Sequence, residues 1–173
     1  MIIFDLDGTL ADCEHRRHFV DERKNLIYRE EDNNIDVRSG WKPDWQAFYE
    51  ACDQDKPIEP VLSAFIHLTQ GEPFNHDVQI WSGRCESVRD KTLNWLVNLT
   101  GYCGDKGYWD RRLKMRPIGD NTPDDQLKER WLNEAIAKGK LIDFVFDDRK
   151  KVRDMWIRRG IFVFDVSQGK GDF

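Results

Sequence analysis

Four short apolar runs, at 1–4, 78–81, 144–146 and 161–164, constrain this chain more than any other feature. Their apolarity is nearly continuous rather than alternating, which is the pattern of strands covered on both faces in a parallel sheet. Residues 112–115 offer a further strand. Helical patterns lie between the runs. Pro60–Leu68 carries Val61, Leu62, Phe65, Ile66 and Leu68 and stops at Gly71. Val88–Leu99 groups Val88, Leu93, Leu96 and Leu99, with Gly101 beyond its end. Thr122 as N-cap, Pro123 at the first position and Asp125 near the third open another helix. Val152–Ile157 precedes Gly160 and the last run. The expected fold is α/β, with helices flanking a mainly parallel sheet.

The size, 173 residues, suits one domain with a real core. Seven Trp and ten Phe exclude a disordered chain. No apolar run approaches the ~20 residues that span a bilayer, and Met1-Ile2-Ile3-Phe4-Asp5 meets charge too early for a signal peptide. A cytoplasmic, membrane-free protein is therefore expected. The net charge of −5 rules out a polycationic coat for nucleic acid but leaves room for a local basic groove. Cys13, Cys52, Cys85 and Cys103 form no C-x-x-C pair, so a zinc site is not expected. A Walker A sequence is absent, and with it a P-loop kinase activity.

One stretch breaks the alternation. Residues 14–57 are highly charged, with Trp41, Trp45, Phe48 and Tyr49 among Asp, Glu and Arg. That is too long for a loop. It reads as a small cap inserted in a single domain spanning 1–173, helical at Trp45–Cys52 with Asp44 as N-cap, or as an ordinary extra helix on the sheet.

Polar groups cluster where strands end. Asp5-Leu6-Asp7-Gly8-Thr9 follows the first run, Ser82-Gly83-Arg84 the second and Asp147-Asp148-Arg149 the third. Lys128 sits about one turn into the helix opened at Thr122. Ligands of open α/β sheets bind beyond the carboxyl ends of strands. Carboxylates gathered there repel one another and favour a divalent cation. Taken singly, Ser82 could be a helix cap, and Asp147 or Asp148 could cap the helix of 150–159.

The order of these groups resembles the haloacid dehalogenase superfamily, whose Rossmann-like fold the chain is then expected to share. The resemblance makes Asp5 the nucleophile and Asp7 the general acid/base, with Thr9 completing D-x-D-G-T. Ser82 matches its second-motif hydroxyl, Lys128 its third-motif lysine, and Asp147 with Asp148 its fourth-motif acids. Asp7 marks a phosphatase, because dehalogenases proper lack that second acid. Ser82-Gly83-Arg84, Met115-Arg116-Pro117, Gly119-Asp120, Asp124–Lys128, Phe146–Arg149, Val152–Trp156 and Gly171-Asp172-Phe173 resemble the 3′-phosphatase domain of phage polynucleotide kinases. The kinase half is missing here, and the stretch from Asp5 to Ser82 is longer.

The resemblance implies Mg²⁺ held by Asp5, the Asp7 carbonyl, Asp147 and Asp148, with Asp147 as the direct ligand of the last pair. Thr9, Ser82, Gly83, Arg84 and Lys128 would bind the phosphate. For Arg84 the alternative is an ion pair with a structural acid. Arg16, Arg17, Arg112, Lys114 and Arg116 are candidate contacts to a longer polyanion, or solvated surface charges. The substrates expected are DNA or RNA 3′-phosphate ends, with a nucleotidase or general acid phosphatase as the alternative. No protein partner is expected.

Overall fold

The computed structural model describes residues 1–29, 34–37, 40–70, 77–101 and 105–167. At its centre is a parallel sheet of β1 (Ile2–Phe4), β6 (Val78–Cys85), β7 (Leu113–Arg116), β8 (Phe144–Asp147) and β9 (Phe162–Asp165), in the spatial order β7-β6-β1-β8-β9. All four expected strands are present, and the run at 112–115 is the edge strand β7. Side chains alternate across β1. Ile2 and Phe4 enter one core, while Ile3 enters the other.

Helices α2 (Glu59–Gln70), α3 (Arg89–Thr100) and α4 (Lys106–Asp110) cover the first face with Phe65, Leu93, Leu96 and Trp109. Helices α5 (Asp124–Ala137) and α6 (Lys150–Arg158) cover the second with Leu127, Trp131, Leu132, Met155 and Trp156. Burial on both faces explains the continuous apolar runs. Gly101, at a φ of +54°, ends α3 as its position suggests. The start of α5 differs from expectation. Pro123 is the N-cap, and no side chain caps the helix; the Thr122 backbone N–H instead donates to Asp120. Gly71, Cys103 and Gly171-Asp172-Phe173 lie outside the described residues.

Between β1 and α2 the chain leaves through β2 (Ala11–Asp12) and returns through β5 (Lys56–Pro57), and these two short strands pair antiparallel. Among the described residues, the segment between them contains three 3₁₀ turns, an antiparallel pair of β3 (Leu26–Arg29) and β4 (Asn34–Val37), and α1 (Trp45–Glu50). Asp44 caps α1 by accepting from the Ala47 N–H at 2.9 Å. The helix is shorter than expected, because 52–54 wind as a separate 3₁₀ turn.

Strand order sets the position of any site. The chain steps outward from β1 to β6 to β7, then returns to place β8 on the other side of β1. The segments after β1 and β8 lead to opposite faces, which opens a crevice at their carboxyl ends.

Phe65 is fully buried between Phe4, at 5.0 Å, and Trp109, at 5.3 Å. Phe65→Ala is expected to cost about 3–5 kcal/mol. On the exposed β9 edge, Phe162→Ala should cost no more than about 0.5 kcal/mol. Urea unfolding of both variants checks the pair.

Candidate active site

Two charged clusters meet in the crevice. Lys128, buried on α5, is the centre of the first. Its Nζ lies 2.8 Å from Asp5 Oδ1 and 2.8 Å from Asp147 Oδ2. Asp5 continues β1, its N–H donating to Phe146 O, while Asp147 closes β8. Asp147 is fully engaged: Oδ2 also receives Trp156 Nε1 at 3.5 Å, and Oδ1 receives the Arg149 N–H at 3.2 Å. It does not cap α6, whose N-cap is Arg149. Among the described residues, the Asp148 carboxylate accepts the Thr9 hydroxyl, at 3.4 Å, and the Asp148 carbonyl accepts Arg153 Nη1.

Gly8 makes room for this. The chain turns there at a φ of +82°, and a Cβ on Gly8 would lie 2.0 Å from Asp148 Oδ2. Glycine is the residue that accepts both the left-handed turn and the close carboxylate.

Asp5, Asp147 and Asp148 each present an oxygen within 4.8 Å of the others. Three carboxylates against one ammonium leave the cluster short of positive charge. Burial, then the charges of Asp5 and Asp147, push the Asp148 carboxyl up to about 8 despite Lys128. Burial also raises Asp5, to about 6; Lys128 opposes this and Asp147 adds to it. Lys128 itself is raised, because Asp147 and Asp5 outweigh its desolvation. A set of hard oxygen donors with uncompensated charge suits a divalent cation such as Mg²⁺.

The second cluster is balanced. Asp7 Oδ1 receives Arg16 Nη2 at 2.5 Å, and Arg84 Nε and Nη2 at 2.8 and 2.5 Å. Asp55 receives Arg16 Nε and Nη2, both at 2.7 Å, and Arg84 Nη2 at 2.5 Å. His15 Nε2 lies 2.9 Å from Asp55, and Trp95 Nε1 donates to the Asp55 carbonyl at 2.8 Å. Two arginines and two aspartates thus neutralise each other in the interior. Burial alone would raise the Asp7 carboxyl, but Arg84 and Arg16 hold it at about 2.

Several expectations change as a result. Arg84 is buried against Asp7 and Asp55, so the ion-pair alternative is the one realised. Arg16 is equally buried, with its guanidinium over the Phe48 ring at 4.1 Å, and is no surface contact for a polyanion. Arg17 ion-pairs with Glu14. The Asp7 carboxylate turns to the arginines, while the metal contact expected of Asp7 is through its main-chain carbonyl. Thr9 is buried, with its hydroxyl donating to Asp148. Ser82 Oγ is also buried, accepting the Arg84 N–H at 3.1 Å.

Asp5 and Asp7 open into a cavity of about 550 Å³. Trp45, Phe48 and Tyr49 of α1 line one side, and the turn from Arg116 to Asp125 lines another. Gly83 lies between, its carbonyl taking Tyr49 Oη at 3.4 Å and Arg116 Nε at 3.0 Å. Arg116 also donates to the carbonyls of Asp120 and Thr122 and pairs with Asp124, so it braces the wall. Arg112 stacks on Tyr108, and Lys114 pairs with Glu134 beside Trp81 and Trp131. Neither lines the cavity. Sequence reasoning missed Asp55, one acid in a charged stretch without periodicity, and the bracing role of Asp124, which pairs with Arg116 and Arg149.

The family model for the polynucleotide kinase PNKP phosphatase domain matches residues 44–173. The chain belongs to this family. The match covers Ser82 through Asp148 but begins after Asp5–Thr9, whose place rests on the geometry above. A chain of the Pnkp1/Rnl/Hen1 complex aligns at a TM-score of 0.64 and 26% identity, covering 99% of this chain and 46% of that one. A chain of the Pnkp1/Rnl/Hen1 RNA repair complex gives 0.65 and 25%, covering 99% and 43%. This chain therefore spans less than half the length of either. A class C acid phosphatase from Bacillus anthracis, with tungstate bound, shares the fold at a TM-score of 0.52 and 15% identity, covering 99% and 68%. The fold is that of the haloacid dehalogenase superfamily, and the chain is a phosphatase domain of it. Among the described residues, no helix is long and apolar enough to cross a membrane.

The charge imbalance of the first cluster has a measurable sign. Asp5 and Asp148 hold protons in the folded state that the unfolded chain releases above its ordinary carboxyl range. Their contribution to stability is complete below about pH 4 and lost as the pH rises through about 6 and about 8. The Tm of metal-free protein should fall from pH 5 to pH 9, and Mg²⁺ should restore more of it at pH 8 than at pH 5. In the second cluster, Asp55→Asn leaves buried guanidinium charge unpaired and is expected to cost about 3–5 kcal/mol in urea unfolding.

Proposed function

We propose that this chain is a Mg²⁺-dependent polynucleotide 3′-phosphatase working through an aspartyl-phosphate on Asp5. The observation that carries the reading is the placement of Asp5 against Lys128 in the wall of a cavity that Asp7 also lines. Membership of the PNKP phosphatase family supports polynucleotide ends as substrate, and the likeness to a chain of an RNA repair complex supports RNA among them.

Asp5 Oδ attacks phosphorus, and the ester P–O bond breaks. The leaving oxygen takes a proton from Asp7. Water then attacks the phosphoryl group, giving its proton to Asp7, and the Asp5–phosphorus bond breaks to release inorganic phosphate. Lys128 offsets the charge of Asp5 and of the arriving phosphoryl oxygens. Asp7 must be protonated before the ester breaks, yet Arg16 and Arg84 hold it ionised in the resting site. The negative charge of an arriving phosphate beside Asp7 raises the proton affinity of that carboxylate.

Asp5, Asp147 and Asp148 would hold Mg²⁺, which supplies charge neutralisation for the transferred group. Asp148 is the better direct ligand, because both Asp147 oxygens are already used by Lys128, Trp156 and Arg149.

Phosphate release from a 3′-phosphorylated oligonucleotide, with and without Mg²⁺, tests the reading. Asp5→Asn should lower kcat by at least about 10³-fold with the Tm unchanged or raised. Near-normal turnover in that variant removes the covalent route. Asp148→Asn should abolish the Tm increase on adding Mg²⁺, whereas Asp147→Asn should mainly lower the Tm of the metal-free protein.

A further inference from the structure

Trp45 is placed unlike the other tryptophans of this chain. Trp81, Trp95, Trp109, Trp131 and Trp156 are at most 7% exposed, and Trp41 is half-buried, whereas Trp45 is 46% exposed. An isolated exposed aromatic needs no explanation. This one lines the cavity that contains Asp5 and Asp7.

Its position is fixed from below and behind. Asp44 caps the helix and anchors it, its own N–H donating to Phe19 O at 2.8 Å. Phe48, one turn on and 2% exposed, meets the Trp45 ring edge-on at 5.8 Å. The Phe48 carbonyl accepts Arg16 Nη1 at 3.1 Å, and the same guanidinium holds Asp7. Tyr49 lies 6.1 Å from the Trp45 ring and reaches Gly83. The indole is thus linked through Phe48 and Arg16 to the proposed acid/base.

The cavity, about 550 Å³, is of the size that takes a whole small ligand and far exceeds the needs of one phosphate group. Lys151, exposed, also lines it and would supply positive charge toward a nucleic-acid backbone. An exposed aromatic face beside a phosphate site, with a cation at the rim, is the chemistry that binds single-stranded nucleic acid.

We propose that Trp45 is a stacking platform for the base of the nucleotide that carries the reacting phosphate, making it a specificity-determining residue for nucleic-acid ends. The inference rests on the 3′-phosphatase reading and adds how the end is recognised. Stacking tolerates every base, so the platform selects for the presence of a base and not for its identity.

The test uses two 3′-phosphorylated oligonucleotides of the same length, one with a normal terminal nucleotide and one with an abasic terminal sugar. Wild type should favour the base-bearing end in kcat/KM by about tenfold, the size of one lost stack. Trp45→Ala should collapse that preference to less than about twofold through KM, and Trp45→Phe should restore most of it. A wild type without preference, a preference kept by Trp45→Ala, or equal losses on both ends in that variant each overturns the platform. If wild type hydrolyses neither oligonucleotide but releases phosphate from glycerol phosphate, the 3′-phosphatase reading falls and takes the platform with it. If it hydrolyses both alike, the reading stands and only the platform falls.

Discussion

The Lys128 ammonium is the charge on which the site depends. Two aspartates arrive on neighbouring strands, and the sheet gives them no choice of position, since Phe4 pairs with Phe146 just before Asp5 and Asp147. Without a cation between them, two buried carboxylates at this spacing would take up protons or force the strand ends apart. Lys128 reaches them from α5, and the apolar stripe of Leu127, Trp131 and Leu132 fixes that helix on the sheet. The packing of one helix face therefore sets the electrostatics of the crevice.

The two clusters are built to opposite specifications. Around Asp7, the charges of Asp7, Asp55 and the two buried arginines cancel, which makes a balanced frame. Around Asp5, negative charge exceeds positive, and among the described residues the Asp148 carboxylate accepts from the Thr9 hydroxyl. A balanced network holds its shape. An unbalanced one has affinity for what it lacks, in this case a divalent cation. Two residues apart in sequence, Asp5 and Asp7 have proton affinities on opposite sides of the ordinary carboxyl value.

The segment of 14–57 ties the cavity wall to this frame. It contributes Arg16 and Asp55 to the balanced cluster and Trp45 and Tyr49 to the cavity wall. The β2–β5 pair clamps its two ends together beside Gly8. The charge that makes the segment look like a solvated surface in sequence is, at Arg16 and Asp55, buried in the interior.

What the sequence determined by itself was the architecture and the main chemical groups. Continuous apolar runs can be buried only by helices on both faces, and short polar motifs after such runs must lie at the carboxyl ends of strands. Asp5, Asp147 and Asp148 were legible for that reason, and Lys128, on a helix, through the resemblance to a known superfamily. Only the tertiary structure decided which charge faces which. Arg84 follows a strand end just as a phosphate ligand would, but Asp55 comes within 2.5 Å of it from 29 residues away and captures it with Asp7. Arg112 and Lys114 look like a basic patch in sequence, yet strand alternation and packing give them to Tyr108 and Glu134. Pairing between charges distant in sequence depends on how helices and inserts pack, and no local periodicity encodes it.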